Sequence, residues 1–252
     1  EMIAMVGQPI FAKELARVFR WGIIGTSFLP RALFPVPRLI PLLALPTTNY
    51  STGSGDGYTG HQNATWATAR DASVGTEADT TFTYASIMGD RLNAGTYYIK
   101  RVNLPADTSA IDDTATITVA DLHTFSFGNL TGTGTDTFSI VTDTHASNTV
   151  LTTSDYPSYG SSSLGDLATY DYQDALGVER INSVTSPNTN ISKTGFTKLA
   201  LRQKTNDLLN VAPTGDRYYL ICSSEHATSA YRPYYAVTYS VANTGAAFLM
   251  MM

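Results

Sequence analysis

The side chains able to do chemistry are few and scattered. Four histidines, His61, His123, His145 and His226, have no metal-ligand spacing with one another, and no HExxH is present. Cys222 is the only cysteine, so no intrachain disulfide forms, and it sits in the apolar run RYYLICSS (residues 217–224). A small buried residue is the ordinary occupant of such a run; a nucleophile needs an activating base beside it. GSGDG (residues 53–57) and GTGTD (132–136) are glycine-rich, but no helical pattern with a lysine follows them. A phosphate cradle is therefore not expected. The acid pairs Asp112 and Asp113, or Asp171 and Asp174, would serve glycoside hydrolysis only if carboxyls met across a cleft at about 5 to 10 Å, and nothing in the spacing brings them together. Oxygen-rich loops near Asp56 and Asp112 are of the kind that can hold Ca²⁺, without a fixed Ca²⁺-loop pattern. The expectation is no catalytic residue, no metal ligand set and no cofactor beyond that candidate Ca²⁺, in a chain that is not an enzyme.

Aromatic rings offer the other chemistry. Of 15 tyrosines, Tyr156, Tyr159, Tyr170 and Tyr172 cluster within residues 151–190. Exposed rings there would stack on the apolar faces of sugars, which makes these four the candidate glycan-binding residues. The alternative is that they pack this long segment onto the protein body.

Charge divides the chain into two parts that must position these groups. Residues 1–50 carry five basic side chains against Glu1 and Glu14, net +3, leaving 11 basic and 19 acidic residues, net −8, in the rest. The overall charge of −5 argues against sequence-independent nucleic-acid binding, which neutralises phosphates with cations. Within the first part, IFAKELARVFRW (residues 10–21) sets Phe11, Leu15, Val18 and Phe19 against Lys13, Arg17 and Arg20, predicting one short amphipathic helix ended by Gly22. FLPRALFPVPRLIPLLALP follows, with five prolines among bulky aliphatics. Proline fixes φ and removes amide donors, so this stretch is expected to be extended. It has no run of about 18 apolar residues free of charge and proline, so no membrane span is expected. An arm this apolar needs a surface to bury it; Phe11, Leu15, Phe19, Trp21, Leu33, Phe34, Leu39, Ile40, Leu42 and Leu43 are the candidate assembly residues. The predicted domains are an arm over residues 1–49 and a β-sandwich over 50–252.

From Tyr50 the texture turns to Thr, Ser, Gly, Asp and Tyr. YSTGSGDGYTG (50–60) reads as a linker or tight turn. Alternating, β-branched or aromatic runs then predict strands at TWATAR (65–70), TFTYASIM (81–88), TYYIKRVNL (96–104), ATITVADLHTFSF (115–127), DTFSIVT (136–142), FTKLALRQK (196–204), RYYLICSS and YYAVTYSV (234–241). In β-strand geometry Tyr97, Ile99, Arg101 and Asn103 share one face, and Tyr98, Lys100, Val102 and Leu104 the other. Ile117, Val119 and Asp121 likewise oppose Thr116, Thr118 and Ala120. Pro105 is expected to open a tight connection in which Asp107 and Ser109 cap amides before Ile111 re-enters the core. Arg101 and Arg202, inside strands, are expected to pair with a buried carboxylate such as Asp207. LGDLATYDYQDAL (164–176) suggests a helical turn. Many short strands without long helices imply an all-β fold, an antiparallel β-sandwich or jelly roll behind a proline-rich arm with one short helix.

Three segments carry a resemblance: TYYIKRVNLPADTSAIDDTATITVADLHTFSF, ISKTGFTKLALRQKTND and SSEHATSAYRPYYAVTYS. They are similar to the DNRLRE-like surface β-sandwich modules of phage virions and bacterial surfaces, over roughly residues 55–241. Asn103 stands where that pattern has a Phe-like residue, and Tyr235 adds a second aromatic to the last strand. The resemblance and the arm together imply a structural subunit of an extracellular assembly, a phage virion protein of decoration, fibre or tail-associated kind. Its expected partners are copies of itself or other virion or filament subunits, and its location the virion or an extracellular surface. A carbohydrate-binding or adhesive cell-surface module, with a surface glycan as partner, is the alternative.

Overall fold

The computed structural model describes residues 45–82, 86–128, 134–166 and 169–241. Residues 44–252 form the second of two units of the chain. Strands in the second unit run β1 (Thr47–Ser51), β2 (Gly57–Asn63), β3 (Glu77–Asp79), β4 (Ser86–Asn93), β5 (Thr96–Asp107), β6 (Thr116–Phe125), β7 (Thr135–Asp136) and β8 (Phe138–Thr142). The rest are β9 (Gly165–Asp166), β10 (Tyr170–Asp171), β11 (Glu179–Ser183), β12 (Phe196–Gln203), β13 (Tyr219–Ile221) and β14 (Tyr234–Ser240). Two short helices, α1 (Trp66–Arg70) and α2 (Pro187–Asn190), interrupt them. Among the described residues no helix is long and apolar enough to cross a membrane.

These strands form an antiparallel β-sandwich. One sheet has the order β1-β14-β6-β11; the larger has β13-β4-β5-β12-β8-β9, with β2 joined to β5 and β3 to β2. A two-stranded ribbon pairs β7 with β10. Between the sheets lies one core, to which the first contributes Tyr50, Ile117, Leu122, Tyr235 and Val237, and the second Val102, Leu104, Phe138, Ile140, Leu199 and Leu201. Period-2 alternation accounts for these choices, since residues two apart point to the same face.

The imperfect alternation of β5 has a structural cause: both of its faces are covered. Val102, Leu104 and Ala106 enter the main core, whereas Ile99, Arg101 and Asn103 are buried on the outer face. There, Ala69 of α1 and Tyr156 close over Ile99, while Tyr159 closes over Val141 and Ala200. A strand covered on both sides loses the apolar-polar signature of a half-exposed one.

Several expectations change or narrow at the level of elements. TWATAR is helical rather than extended, because Trp66 and Ala69, three apart, together meet the outer face of the sheet around Tyr97 and Ile99. Of the two readings of YSTGSGDGYTG the tight turn holds: the segment contains the end of β1, a turn and the start of β2. Gly55 and Gly57 serve close packing there, since a Cβ on either would lie 2.1 Å from the Asn148 carbonyl or 2.0 Å from that of Asp79. Pro105 lies inside β5, opposite Lys198 of β12, and the turn begins after it. Asp107 then accepts from the Ser109 amide at 3.0 Å and Ile111 is buried, as expected. Within residues 164–176 the described residues form β9 and β10 rather than a helical turn. In β6, the facing between Ile117 and Leu122 shifts phase at a bulge: Thr238 pairs with Val119 and Tyr239 with Ile117, leaving Thr118 as the extra residue. Val119 is thereby 42% exposed while Ile117, Ala120 and Leu122 are buried.

Candidate functional site

The strands of the larger sheet fork at β5. β2 follows one edge of β5 from Tyr97 to Asn103, so β4 and β12 must share the other. β4 pairs with residues Thr96 to Lys100, and β12 takes over from Val102 to Asp107. Arg101 stands at the junction.

A buried ion cluster fills the outer face of this fork. Asp207, in a π turn over Lys204–Leu208, accepts from Arg101 Nε at 2.8 Å and Nη2 at 2.9 Å. It also accepts from Arg202 Nε at 2.7 Å and Nη2 at 2.6 Å. Two bidentate forks thus close on one carboxylate, the strongest geometry available to such a pair. The guanidiniums also donate outward, Arg101 to the carbonyls of Tyr156 at 2.8 Å and Arg70 at 2.9 Å, and Arg202 to that of Gly160 at 2.8 Å. Arg101 lies 4.2 Å from the centre of the Tyr156 ring. The arginines therefore fasten the covering segments to the sheet. Burial alone would raise the Asp207 carboxyl, but the Arg101 charge and the bonds from both arginines hold it down at about 2.

Cavities of about 280 and 290 Å³ adjoin the cluster. The second is lined by Arg70, Arg101, Arg202, Tyr159 and Asp207. The first opens where β4 and β12 diverge, among Asp90, Asp136, Gln203, Asn206, Val211 and Arg217. Asp136 accepts from the Tyr172 hydroxyl at 2.7 Å, from the Thr137 amide at 3.0 Å and from Gln203 Nε2. Asp90 is 4% exposed, and neither of its carboxyl oxygens has a hydrogen-bond partner. Burial, with the Asp207 charge added and the two arginines opposing, pushes its pKa well above the ordinary carboxyl range. Sequence reasoning missed Asp90 because its role comes from a non-local pairing, Asp90 opposite Ile99.

A second buried carboxyl lies where the sequence suggested Ca²⁺. Asp56 accepts from Thr52 Oγ1 at 2.9 Å and the Ser224 amide at 2.7 Å. Ser224 Oγ is 3.0 Å from both Asp56 Oδ1 and the Gly53 carbonyl and 2.7 Å from Glu225 Oε1. One hydroxyl proton cannot serve three acceptors, so the group has a place for a second proton. Burial first and the neighbouring Glu225 charge second raise Asp56 to about 8. A raised acid binds its proton in the folded state while the unfolded chain releases it near pH 4. This contribution to stability is thus full below about pH 4 and falls as pH rises towards 8, by up to about 1.4 kcal/mol per unit. Thermal melts from pH 5 to 8 should show falling stability in the native chain and a flatter profile for Asp56→Asn. Equal slopes in the two proteins would refute the assignment. Asp112, the other loop named for Ca²⁺, is exposed and accepts from the Thr114 amide and hydroxyl at 2.7 and 2.5 Å.

The remaining groups are held for structure. His145 Nδ1 lies 2.7 Å from Asp143, both side chains buried, and its Nε2 faces the Asn103 amide at 3.5 Å. An amide is no nucleophile. His123 stacks on Tyr234 at 4.3 Å and bonds Glu179 at 2.7 Å. Burial pushes the Cys222 thiol up to about 12, far from a reactive thiolate. Among the described residues no group of three or more His, Cys, Asp or Glu is placed to hold a metal ion. Asp174, one of the paired acids, is bound by Arg180 at 2.5 Å and by the Tyr219 hydroxyl at 2.7 Å.

The four candidate glycan-binding tyrosines are not a surface. Tyr156 and Tyr170 are fully buried, and Tyr159 and Tyr172 are 6% and 4% exposed. Each hydroxyl is committed: Tyr156 to the Ala69 carbonyl, Tyr159 to Thr59, Tyr170 to Thr124 and Tyr172 to Asp136. The rings pack their segment onto the sheets, which corrects the stacking expectation: covering the outer face requires large side chains with a polar tip that can be satisfied. The arm residues Phe11, Leu15, Phe19, Trp21, Leu33, Phe34, Leu39, Ile40, Leu42 and Leu43, and the C-terminal AAFLMMM, lie outside the described residues. No protein-family model matches the chain, and the comparison with curated proteins finds no match.

Proposed function

We propose that the chain is a structural subunit of an extracellular assembly, a phage virion protein of decoration, fibre or tail-associated kind, anchored through its N-terminal arm. The observation that carries this reading is the division of the chain. An apolar, proline-rich sequence of net positive charge precedes a sandwich that, among the described residues, draws its main core from residues 50 to 237. Proline-rich apolar sequence gains little from its own backbone hydrogen bonding, so its affinity comes from burial against a neighbour. The resemblance to surface modules of virions supports the same reading. In it the chain has no enzymatic role, no cofactor and no nucleic-acid partner, and the partners are further copies or other subunits.

Truncation to residues 47–252 tests the proposal, because the cut keeps β1 and every later strand. Light scattering after size-exclusion chromatography should find a higher-order species for the intact chain and a folded monomer for the truncation. A truncated chain that no longer folds, or two identical monomers, would sink it. A carbohydrate-binding role is the second reading; what favours it is the polar cavity at the strand fork, not the tyrosines.

A further inference from the structure

Two buried guanidiniums share one carboxylate at the strand fork. Among the described residues Arg101 and Arg202 are each ion-paired with Asp207 alone. Their further bonds, to the carbonyls of Tyr156, Arg70 and Gly160, use donors but supply no negative charge. One positive charge is therefore left over where little water reaches, and a buried charge without a counter-charge is costly. The second cavity, about 290 Å³, lies against both guanidiniums. Arg70, at the end of α1, lines it as well. Its Nε and Nη2 lie 2.9 Å from the neighbouring Asp71, which leaves Nη1 without a partner among the described residues and, unlike Nε, not sealed from solvent. Each terminal guanidinium nitrogen carries two N–H groups. Arg202 Nη1 gives one to Gly160 and Nη2 gives one to Asp207, so each keeps a second. Positive charge and hydrogen-bond donors are both in surplus along this wall.

The other lining groups restrict which anion fits. Three arginines against Asp71 and Asp207 leave a surplus of one charge, which a monoanion balances. A phosphate group, with a charge of about −1.5 to −2, would exceed it and face the Asp71 carboxylate. A carboxylate is planar and takes two N–H groups of guanidinium at once. The cavity has room for much more than that head group, yet it is at the small end for ligand cavities, which run from about 300 to 1,000 Å³, so it suits a carboxylate carried on one ring. Asp71, 57% exposed, and Ser161, exposed and with its hydroxyl unbonded among the described residues, offer partners to ring hydroxyls. Ala72, Pro157 and Leu208 add apolar surface of the kind a ring's C–H face covers.

We infer that the cavity on the outer face of the fork binds a single sugar ring bearing a carboxylate, of the hexuronic acid class, with Arg70 and Arg202 holding the carboxylate. This rests on the second functional reading, whose substrate class it names, and is independent of the arm, so failure of the assembly test leaves it standing.

The test is NMR on the full chain, following the arginine side-chain N–H signals as D-glucuronate, D-galacturonate, D-glucose or sodium phosphate is added, each alone at tens of millimolar and constant ionic strength. At least one uronate should shift the Arg70 and Arg202 signals, and glucose and phosphate should bind about tenfold or more weakly. Arg70→Gln should weaken that uronate by about tenfold or more, the loss expected for a hydrogen bond between charged groups. The Arg70 side chain bonds only Asp71, so this variant leaves the Asp207 cluster in place. Asp113→Ala, on an exposed turn, should leave binding unchanged. The arginine shifts are read on the native protein, so the result does not depend on the variants folding. If glucose binds and neither uronate does, the inference falls and the carbohydrate reading stands; if no sugar binds, both fall. Phosphate binding as tightly as the uronates would make the site a general anion hole and overturn the sugar assignment. So would uronate binding that leaves the two arginine signals unmoved.

Discussion

Replacing Asp207 by alanine is expected to lower the unfolding free energy by about 3–5 kcal/mol, the cost of leaving buried charges without their partner. Arg101 and Arg202, whose side chains are 5% and 9% exposed, would keep two positive charges and lose all four bonds to the carboxylate. For a domain of this size each kcal/mol moves the melting temperature by roughly 2–4 °C, so circular dichroism should record a fall of about 6–20 °C. Replacing all three residues together by apolar side chains of similar volume should cost less than removing Asp207 alone, because no charge is then stranded. The same carboxylate fixes the acid limit. Its pKa is held at about 2 in the fold against an ordinary value of 3.8. Its stabilisation is therefore fully present above pH 4 and lost as pH falls through 2. The alanine variant should lack that part of the acid transition. A melting temperature within a few degrees of the native one would show that the cluster is hydrated and the fork open.

Tyr156→Ala and Tyr170→Ala should each cost about 3–5 kcal/mol, the range for truncating a large buried ring. Tyr170 meets Phe138 and Tyr219 edge-on, at 5.1 and 4.5 Å between ring centres, inside the main core. Tyr156 packs on Ile99 and Ala69, lies beneath the Arg101 guanidinium and donates to the Ala69 carbonyl at 2.7 Å. Tyr→Phe at either position keeps the ring and should cost about 1 kcal/mol, one buried hydrogen bond. Rings that served as exposed stacking platforms would behave in the opposite way, leaving thermal stability unchanged on truncation to alanine. Melting curves of the four variants separate these outcomes, and an unshifted Tyr156→Ala would contradict the burial described above.

The sandwich was legible in the sequence wherever a strand obeys a local rule. The runs at Phe196–Gln203 and Tyr234–Ser240 became β12 and β14 because side chains two apart must share a face, whatever else the chain does. The change of texture near residue 50 likewise reflects composition alone, and β1 begins close to it, at Thr47. Even the pairing of Arg101 and Arg202 with Asp207 could be anticipated, since a charge buried within a strand requires a compensating one. Tertiary structure alone decided what covers the outer face of the larger sheet. Nothing local to Tyr156 or Tyr159 distinguishes a ring turned to solvent from one lying on Ile99 or Ala200; the distinction lies in contacts with residues tens of positions away. The same holds for the fork, where β4 and β12 share one edge of β5 and leave Asp90 buried beside a cavity. Periodicity is a property of neighbours along the chain and survives in the sequence, whereas register and cover are properties of strands meeting across it, and only the folded chain brings those together.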